Sequence, residues 1–212
     1  RLHYLYPEWI DDRLIDVIAR EGKILKYLDI PLQHCNDKIL KKMNRRGDKK
    51  YLCALLDKLR ERIPGLVLRT SIIAGLPGEG EEEFDELCDF LREQKLLRAG
   101  VFPYSPEEGT RAAKMERVDS DEAARRAERI VDIQSEIIDA WNDERQGDVM
   151  EVLCEGFDGQ SMLFVGRSYA ESPDIDGRIY FSAPRDVAAG EFVPVRITGA
   201  MDGELTGELA EE

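Results

Sequence analysis

The sequence predicts an α/β fold, in which the C-terminal part of a partial (βα) barrel is followed by a small all-β barrel of the OB kind. Up to residue 146, short apolar or β-branched runs alternate with segments of helical period, which is typical of βα units around a parallel sheet. From residue 147, the apolar residues recur with a period of two in five short runs, enough for a small closed barrel. We therefore expect two domains, residues 1–146 and residues 147–212.

Four parallel strands are predicted in the first domain, near residues 2–6, 24–30, 66–73 and 99–104. The first two runs end at Pro7 and Pro31, and proline cannot donate a hydrogen bond to a sheet. The connections between these runs have helical periods, which favours right-handed βα crossovers and an incomplete barrel.

Helices are predicted from apolar stripes and from residues that cap their ends. Asn36 is a good N-cap, and "EEEFDELCDFLREQ" places acidic residues in a first turn, where the helix dipole favours them. Residues 120–145 predict one long helix. Its inner side is predicted to carry Ala124, Ala127, Ile130, Val131, Gln134, Ile137, Ile138 and Trp141.

Five strands are predicted for the second domain. They are "DVMEVLCE", "QSMLFVGRSY", "GRIYFSA", "EFVPVRIT" and "GELTGELA". Turn sequences such as "GFDG" and "MDGE" separate them.

Composition restricts the partners and the compartment. The net charge of −14 disfavours a general nucleic-acid or membrane surface, and no apolar run approaches the ~18 residues of a membrane span. Cys35, Cys53, Cys88 and Cys154 are too dispersed for a zinc or cluster site, so no metal ligand is predicted. Dispersed thiols fit a reducing cytoplasm. Because the chain begins at Arg1 rather than Met, we expect it to be a piece of a longer protein.

Polar or flexible residues follow three of the predicted strands. The strand ends are "PLQHCND", "LRTSIIAGLPGEG" and "GVFPYSPEEGT". In parallel βα folds the chemistry gathers at these carboxyl ends. Gly75 and Gly78 permit positive φ and close approach of the backbone to a ligand, although the same residues also make ordinary turns.

These segments, in this order, resemble the later part of a methylthiotransferase of the radical S-adenosylmethionine (SAM) superfamily. "VGRSYAESPDIDG" resembles the small C-terminal barrel of that family, called TRAM. "PLQH" and "RSY…P.IDG" resemble the branch that modifies an aspartate of a small-subunit ribosomal protein. The tRNA-modifying branch is expected to have "P.QSG" at the first motif. The resemblance covers nearly the whole chain.

The resemblance implies a partial barrel that holds SAM and, in the parent protein, two [4Fe–4S] clusters. One cluster would reduce SAM to release a radical that abstracts hydrogen from a carbon atom, and the other would supply sulfur. The family's Cys-x3-Cys-x2-Cys loop is not in this sequence. We therefore expect a fragment that is inactive alone, with no catalytic residue identified.

By family position, the cofactor would contact three strand ends. The predicted cofactor-binding residues are Gln33, His34, Thr70, Ala74, Gly75, Leu76, Pro77, Gly78 and Tyr104. In the third strand Arg69 and Thr70 point to opposite faces. Thr70 is expected to face the barrel lumen, and Arg69 is expected to pair with an acid.

The charge of the second domain separates the two branches of the family. Residues 147–212 contain four basic and fourteen acidic residues, a net charge of −10. Such a barrel suits a basic ribosomal protein better than the phosphates of tRNA. The predicted substrate-binding residues are Arg167, Tyr169, Asp174 and Asp176, with the aspartates pairing with arginines of the substrate.

Three functions stay open at this point. The first is a ribosomal-protein aspartate methylthiotransferase. The second is a tRNA methylthiotransferase, and the third is a partner-binding module without chemistry of its own. The sequence upstream of Arg1 would discriminate the enzymes from the binding module.

Overall fold

The computed structural model describes residues 1–210 and divides into two compact units, Arg1–Ile137 and Ile138–Glu212. The division falls inside the long helix predicted over residues 120–145. Trp141, in the last turns of that helix, packs against the core of the second unit. The domain boundary at residue 146 stays a prediction.

The first unit contains a parallel sheet of three strands in the order β1-β2-β3. The strands are β1 (Tyr27–Asp29), β2 (Val67–Ala74) and β3 (Arg98–Pro103). Both neighbouring pairs are parallel. The sheet places the ends of these strands, and the loops that follow them, at one edge.

The predicted strand near residues 2–6 is reduced to one parallel bridge between Leu2 and Leu28. The Leu5 N–H still donates to the Asp29 carbonyl at 2.9 Å. Between them Tyr4 has φ 60°, a left-handed conformation that interrupts an extended chain. The prediction of a regular fourth strand was therefore wrong.

Helices connect and follow the strands. They are α1 (Asp12–Arg20), α2 (Asp37–Lys42), α3 (Lys49–Arg62), α4 (Glu81–Gln94) and α5 (Ser120–Glu144). The Asn36 side chain accepts from the N–H groups of Lys38 and Ile39, which confirms it as the N-cap of α2.

The inner side of α5 differs from the prediction at two positions. Ala124 and Val131 are exposed, whereas the buried side begins one residue earlier, at Ala123. The buried residues of α5 in the first unit are Ala123, Arg126, Ala127, Ile130, Ile133 and Gln134. Arg126 is part of this buried side, so a pattern of apolar residues alone does not reveal which residues of α5 face inward.

The core of the first unit lies between the sheet and the helices. On β2, Ile72 and Ala74 are fully buried in it, together with Leu87 of α4 and Ile130 of α5. Fully burying a side chain such as Ile72 stabilises the fold by about 2 kcal/mol.

The second unit is a closed five-stranded barrel with the order β4-β5-β6-β8-β7, as the change of period predicted. The strands are β4 (Val149–Asp158), β5 (Leu163–Arg167), β6 (Ile179–Ser182), β7 (Phe192–Met201) and β8 (Glu204–Leu209). Alternate residues of β7, such as Val193, Val195 and Ile197, point into its core.

Within residues 1–210, no helix is both long enough and apolar enough to span a membrane.

Candidate functional site

The loop after β2 is built on a buried carboxylate. Glu79 Oε1 accepts from the Gly75 N–H at 2.9 Å, and Glu79 Oε2 lies 3.4 Å from the Leu76 nitrogen. The Glu79 N–H donates back to the Leu76 carbonyl at 2.9 Å. Several backbone groups that were predicted to contact the cofactor are therefore used to hold the loop itself.

Gly75 allows this loop to approach α5 closely. Its φ of +81° is left-handed, and a Cβ at this position would lie 2.4 Å from the Ala123 Cβ. Only glycine avoids both the backbone strain and this overlap. The glycine therefore has a packing role, whatever else the loop contacts.

Arg126 of α5 completes the buried network and was missed by the sequence analysis. It donates to Glu79 Oε1 at 3.0 Å and to the Glu79 carbonyl at 2.9 Å. It also pairs with Glu81 at 2.6 Å and with Glu122 at 3.0 Å. Its spacing from Ala123 and Ile130, which fits the buried stripe of α5, was the signal that could have identified it.

His34, which lies in the segment after β1, supports the same Glu79 carboxylate. Its Nδ1 accepts from the Asn36 N–H at 3.0 Å, so the ring proton is carried by Nε2. Nε2 lies 3.4 Å from Glu79 Oε2, and both side chains are fully buried. This burial gives His34 an anchoring role and does not support the prediction that its ring contacts a ligand.

The charge state of Glu79 follows from these contacts. Burial alone would raise the pKa of its carboxyl. The His34 ring, the Gly75 N–H and the Arg126 guanidinium together lower that pKa by more than burial raises it. The net effect is a pKa below the ordinary value for glutamate. Glu79 is therefore ionised at neutral pH and is an electrostatic anchor for the loop.

Thr70 faces the helices rather than the lumen. Its hydroxyl is fully buried, donates to the Ile30 carbonyl at 2.9 Å and accepts from the Leu32 N–H at 3.1 Å. The expectation that Thr70 faces the lumen was wrong, because Thr70 shares the buried face of β2 with Ile72. The opposite face carries Arg69, which pairs with Asp29 at 3.1 Å as predicted.

A cavity of about 320 Å³ lies on this opposite face. Its walls are Tyr4, Leu5, Tyr6, Pro31, Gln33, Arg45, Ser71, Ile73 and Phe102. Its volume falls in the range of small-molecule sites. It contains few polar groups against aliphatic and aromatic walls, a composition suited to orienting a small organic ligand.

Gln33 is the predicted site residue that lines this cavity. It has φ 67°, yet its N–H donates to the Ser71 carbonyl at 2.7 Å and its carbonyl accepts from Ile73 at 3.0 Å. A left-handed glutamine that both backbone bonds hold in place is a form of stored strain typical of functional sites.

The other predicted cofactor residues lie in three places, which are the end of β2 with the start of its loop, a second cavity, and the end of β3. Ala74, Gly75 and Leu76 are buried in the loop. Pro77 and Gly78 line a second cavity of about 620 Å³, which also includes Lys42.

Tyr104 extends the sheet beyond β3. Its N–H donates to the Ala74 carbonyl at 2.8 Å. Its hydroxyl is buried and makes no hydrogen bond with the described residues.

The second unit has a groove of about 430 Å³ on the barrel surface. It brings together Arg167, Asp174 and Asp176, three of the four predicted substrate-binding residues. Tyr169 does not line it, because it packs against the barrel core, where burial raises the pKa of its hydroxyl.

Two of the charged groups in this groove have internal partners. Asp176 Oδ2 accepts from the Ser172 N–H at 2.8 Å and so stabilises its own turn. Arg167 pairs with Glu155. Asp174 is exposed, with φ 66°. The groove therefore offers Asp174 more readily than Asp176 to an incoming cation.

Two family models match the chain. The radical SAM superfamily matches residues 2–91, and the TRAM domain matches residues 147–210. The chain is 44% identical, over its whole length, to the ribosomal protein uS12 methylthiotransferase RimO of Acetivibrio thermocellus, of which it covers 47%. It is 47% identical over 98% of its length to the RimO of Pelotomaculum thermopropionicum, of which it also covers 47%.

The chain is similar to radical SAM methylthiotransferases. It spans about half the length of the curated relatives it matches. Among solved structures, coproporphyrinogen III oxidase (HemN) of Escherichia coli, a radical SAM enzyme, has a similar fold, with a TM-score of 0.54 and 21% identity. That likeness covers 64% of this chain and 32% of HemN. The resemblance noted in the sequence is thus confirmed, as is the fold class.

Similarity to the radical SAM methylthiotransferases implies SAM and [4Fe–4S] clusters, and the residues present fit the two groups differently. The cavity at the strand ends has the volume, the Gln33 amide and the Ser71 hydroxyl that a polar organic ligand such as SAM requires. The four cysteines are free, and no three potential metal ligands cluster within residues 1–210. The thiols of this chain therefore do not fit a cluster.

Proposed function

We propose that the full-length protein adds a methylthio group to an aspartate β-carbon of the ribosomal protein uS12, using radical SAM chemistry in the cytoplasm. The similarity to uS12 methylthiotransferases over the whole chain carries this proposal. The acidic barrel supports it, because a groove containing Asp174 and Asp158 is complementary to a basic protein and repels the phosphates of tRNA.

SAM and two [4Fe–4S] clusters are the proposed cofactors; SAM with one cluster would supply the radical that abstracts hydrogen from an unactivated carbon, and the other cluster would supply sulfur. The residues of this chain have the simpler tasks of binding and positioning. Gln33 and Ser71 bind polar groups in the cavity, and Ile73 forms part of its apolar wall.

The buried network around Glu79 keeps the loop of residues 74–80 in one conformation. Arg126 and His34 hold the Glu79 carboxylate, and that carboxylate holds the loop through Gly75. A site fixed by such supporting contacts needs little reorganisation when a ligand binds. In this proposal Glu79 is a positioning residue.

The test is to give the full-length protein, with reconstituted clusters, either uS12 or bulk tRNA as substrate. We expect mass spectrometry to find the added methylthio group on one aspartate of uS12 and none on tRNA nucleosides. Modification of tRNA would overturn the substrate assignment. Absence of any methylthio transfer, with SAM still cleaved to deoxyadenosine, would favour a different radical SAM reaction.

A further inference from the structure

One short segment of this acidic chain is strongly basic. Residues 38–50 contain seven basic residues and one acidic residue, a net charge of +6 in a chain whose net charge is −14. The basic residues are Lys38, Lys41, Lys42, Arg45, Arg46, Lys49 and Lys50. Because the rest of the chain has a large excess of acids, this segment forms a surface of opposite sign to its surroundings.

Most cations of this segment have no acidic partner. Lys38 pairs with Glu83 at 2.9 Å, and Lys49 pairs with Glu86 at 3.2 Å. Four others have exposed side chains that form neither an ion pair nor a hydrogen bond with residues 1–210, and they are Lys41, Lys42, Arg46 and Lys50. We call these four residues the basic surface. Their charges are available to an anionic partner.

The backbone holds the basic surface on a closed loop. Lys41 and Lys42 are the last residues of α2, and Lys50 lies in the first turn of α3. The Lys49 N–H donates to Asp37 Oδ1 at 2.8 Å, which joins the beginning of α2 to the beginning of α3. A loop that is already closed loses little conformational freedom when a partner binds it.

Helix stability explains only part of this arrangement. The dipole of α2 favours Lys41 and Lys42 at its C-terminal end, but the dipole of α3 disfavours Lys50 at its N-terminal end. Among the five helices of residues 1–210, α3 is the one whose first turn has no acidic residue. Asp48, the acid of the segment, caps α3 by accepting from the Tyr51 N–H at 2.7 Å. The position of Lys50 is therefore better explained by an external anion than by the stability of α3.

We propose that the basic surface binds the phosphate backbone of RNA in the small ribosomal subunit. This inference rests on the proposed function, because a ribosomal protein as substrate brings ribosomal RNA close to the enzyme. Lysine and arginine neutralise phosphates and release their counterions, and arginine can bind a phosphate through two parallel hydrogen bonds. The acids elsewhere in the chain do not cancel this attraction, since at physiological salt exposed charges more than about 8 Å apart are largely screened.

The proposal specifies the state in which the substrate is recognised. The acidic groove of the barrel suits the basic protein, and the basic surface suits the RNA that accompanies that protein in the ribosome. The enzyme should therefore modify uS12 within a particle that contains ribosomal RNA faster than it modifies free uS12.

The experiment uses a triple variant of the full-length protein, Lys41→Gln with Arg46→Gln and Lys50→Gln. Lys42 is unchanged because it also lines the second cavity of the first unit. Ribosomal RNA of the small subunit is titrated with the variant and with the unsubstituted protein at several salt concentrations. Methylthio transfer is measured with two substrates, free uS12 and intact small subunits.

The matched control removes the same three charges from elsewhere in the first unit. It is Arg13→Gln with Lys23→Gln and Lys114→Gln. These three side chains are also exposed and also form no ion pair in the part of the chain that the structure describes. Both triple variants therefore have the same net charge, and they differ only in where the charges were removed.

We expect the first triple variant to bind the ribosomal RNA about tenfold more weakly or worse, and the control to change this affinity by less than about threefold. The slope of log affinity against log salt should become shallower by about 2–3 in the first variant, because each phosphate contact contributes about 0.7–0.9 to it. Transfer to intact small subunits should fall by a similar factor, while transfer to free uS12 stays unchanged. A third variant, Lys41→Arg with Arg46→Lys and Lys50→Arg, keeps the charges and should keep most of the affinity.

Equal losses in the first variant and the control would overturn the inference, since only net charge would then matter. Vesicles of anionic phospholipid are titrated as well, because they present negative charge without RNA. Loss of vesicle binding with unchanged RNA binding would show a membrane contact instead. Unfolding midpoints of all variants are measured in parallel. RNA binding needs no turnover, so failure of this inference is distinguishable from failure of the proposed function, which is measured by methylthio transfer in the unsubstituted protein.

Discussion

The loop after β2 and the groove of the β-barrel both depend on acidic residues, but burial gives those residues opposite roles. Glu79 is fully buried, and its carboxylate interacts with His34, Arg126 and two backbone N–H groups of the same protein. Asp174 is exposed at the barrel surface. The first arrangement fixes a conformation and the second offers a charge to a partner. The number of acidic residues therefore indicates little about function until their burial is known.

The largest expected effect is that of Glu79→Gln on stability. The substitution leaves Arg126 with a buried charge that Glu81 and Glu122 satisfy only in part, so we expect a loss of about 3–5 kcal/mol in unfolding free energy. Glu81→Gln is the matched control, because Glu81 pairs with the same arginine but is exposed; it should cost less than about 1 kcal/mol. Chemical denaturation measures both. Similar losses would show that burial is not the deciding variable.

The buried Glu79 carboxylate also predicts that the unfolding free energy depends on pH. The pKa of Glu79 is lowered from the ordinary value of 4.5, so the stability it contributes is fully present above that value. It is lost as the pH falls below that value, toward the pKa of the folded state. The difference in unfolding free energy between the native protein and Glu79→Gln should therefore be constant from about pH 7 to about pH 5 and shrink as the pH falls further, below 4.5. A difference that stays constant below pH 4.5 as well would contradict the role assigned to the charge.

A smaller loss is expected for Gly75→Ala. It introduces a left-handed alanine and a Cβ 2.4 Å from the Ala123 Cβ, so we expect a cost of about 2–4 kcal/mol. Gly109→Ala separates the two causes, since Gly109 has φ +83° and nothing within 4 Å of the new Cβ. It should cost about 1–2 kcal/mol. Equal costs would mean that α5 yields to the new methyl group.

In the barrel, Asp176→Asn and Asp174→Asn should separate stability from binding. Asp176 accepts the Ser172 N–H, so its substitution should cost about 1 kcal/mol of stability. Asp174 has φ 66°, which asparagine tolerates well, so its substitution should leave stability nearly unchanged.

The expected effect of Asp174→Asn is weaker binding of the proposed ribosomal-protein substrate, by about 0.2–1 kcal/mol, with the loss reduced by added salt. Titrations of the full-length protein at two salt concentrations measure it. This effect is the smallest, yet it tests the assigned roles most directly. A loss of stability on substitution of the exposed Asp174 would contradict its role in binding. A loss of binding that is independent of salt would point to a buried contact instead.

Much of the fold follows from local patterns in the sequence. The alternation of strand and helix periods gave the parallel sheet, and the switch to a period of two gave the barrel of β4 to β8. Asn36 was predicted as an N-cap because the side-chain oxygen of an asparagine before a helix accepts hydrogen bonds from the first N–H groups of that helix. The pairing of Arg69 with an acid also followed from its position in an apolar strand.

The sequence by itself determined the resemblance to a family, the alternation of strands and helices, and the strand ends at which a site is expected, because periodicity and turn residues act over short distances. Only the tertiary structure decided which face of β2 meets the cavity, and thus that Ser71 rather than Thr70 lines it. It also decided that Glu79, His34 and Arg126 form one buried network, although 92 residues separate the last two. Long-range pairs of this kind depend on how the helices pack on the sheet, and no local pattern records that packing.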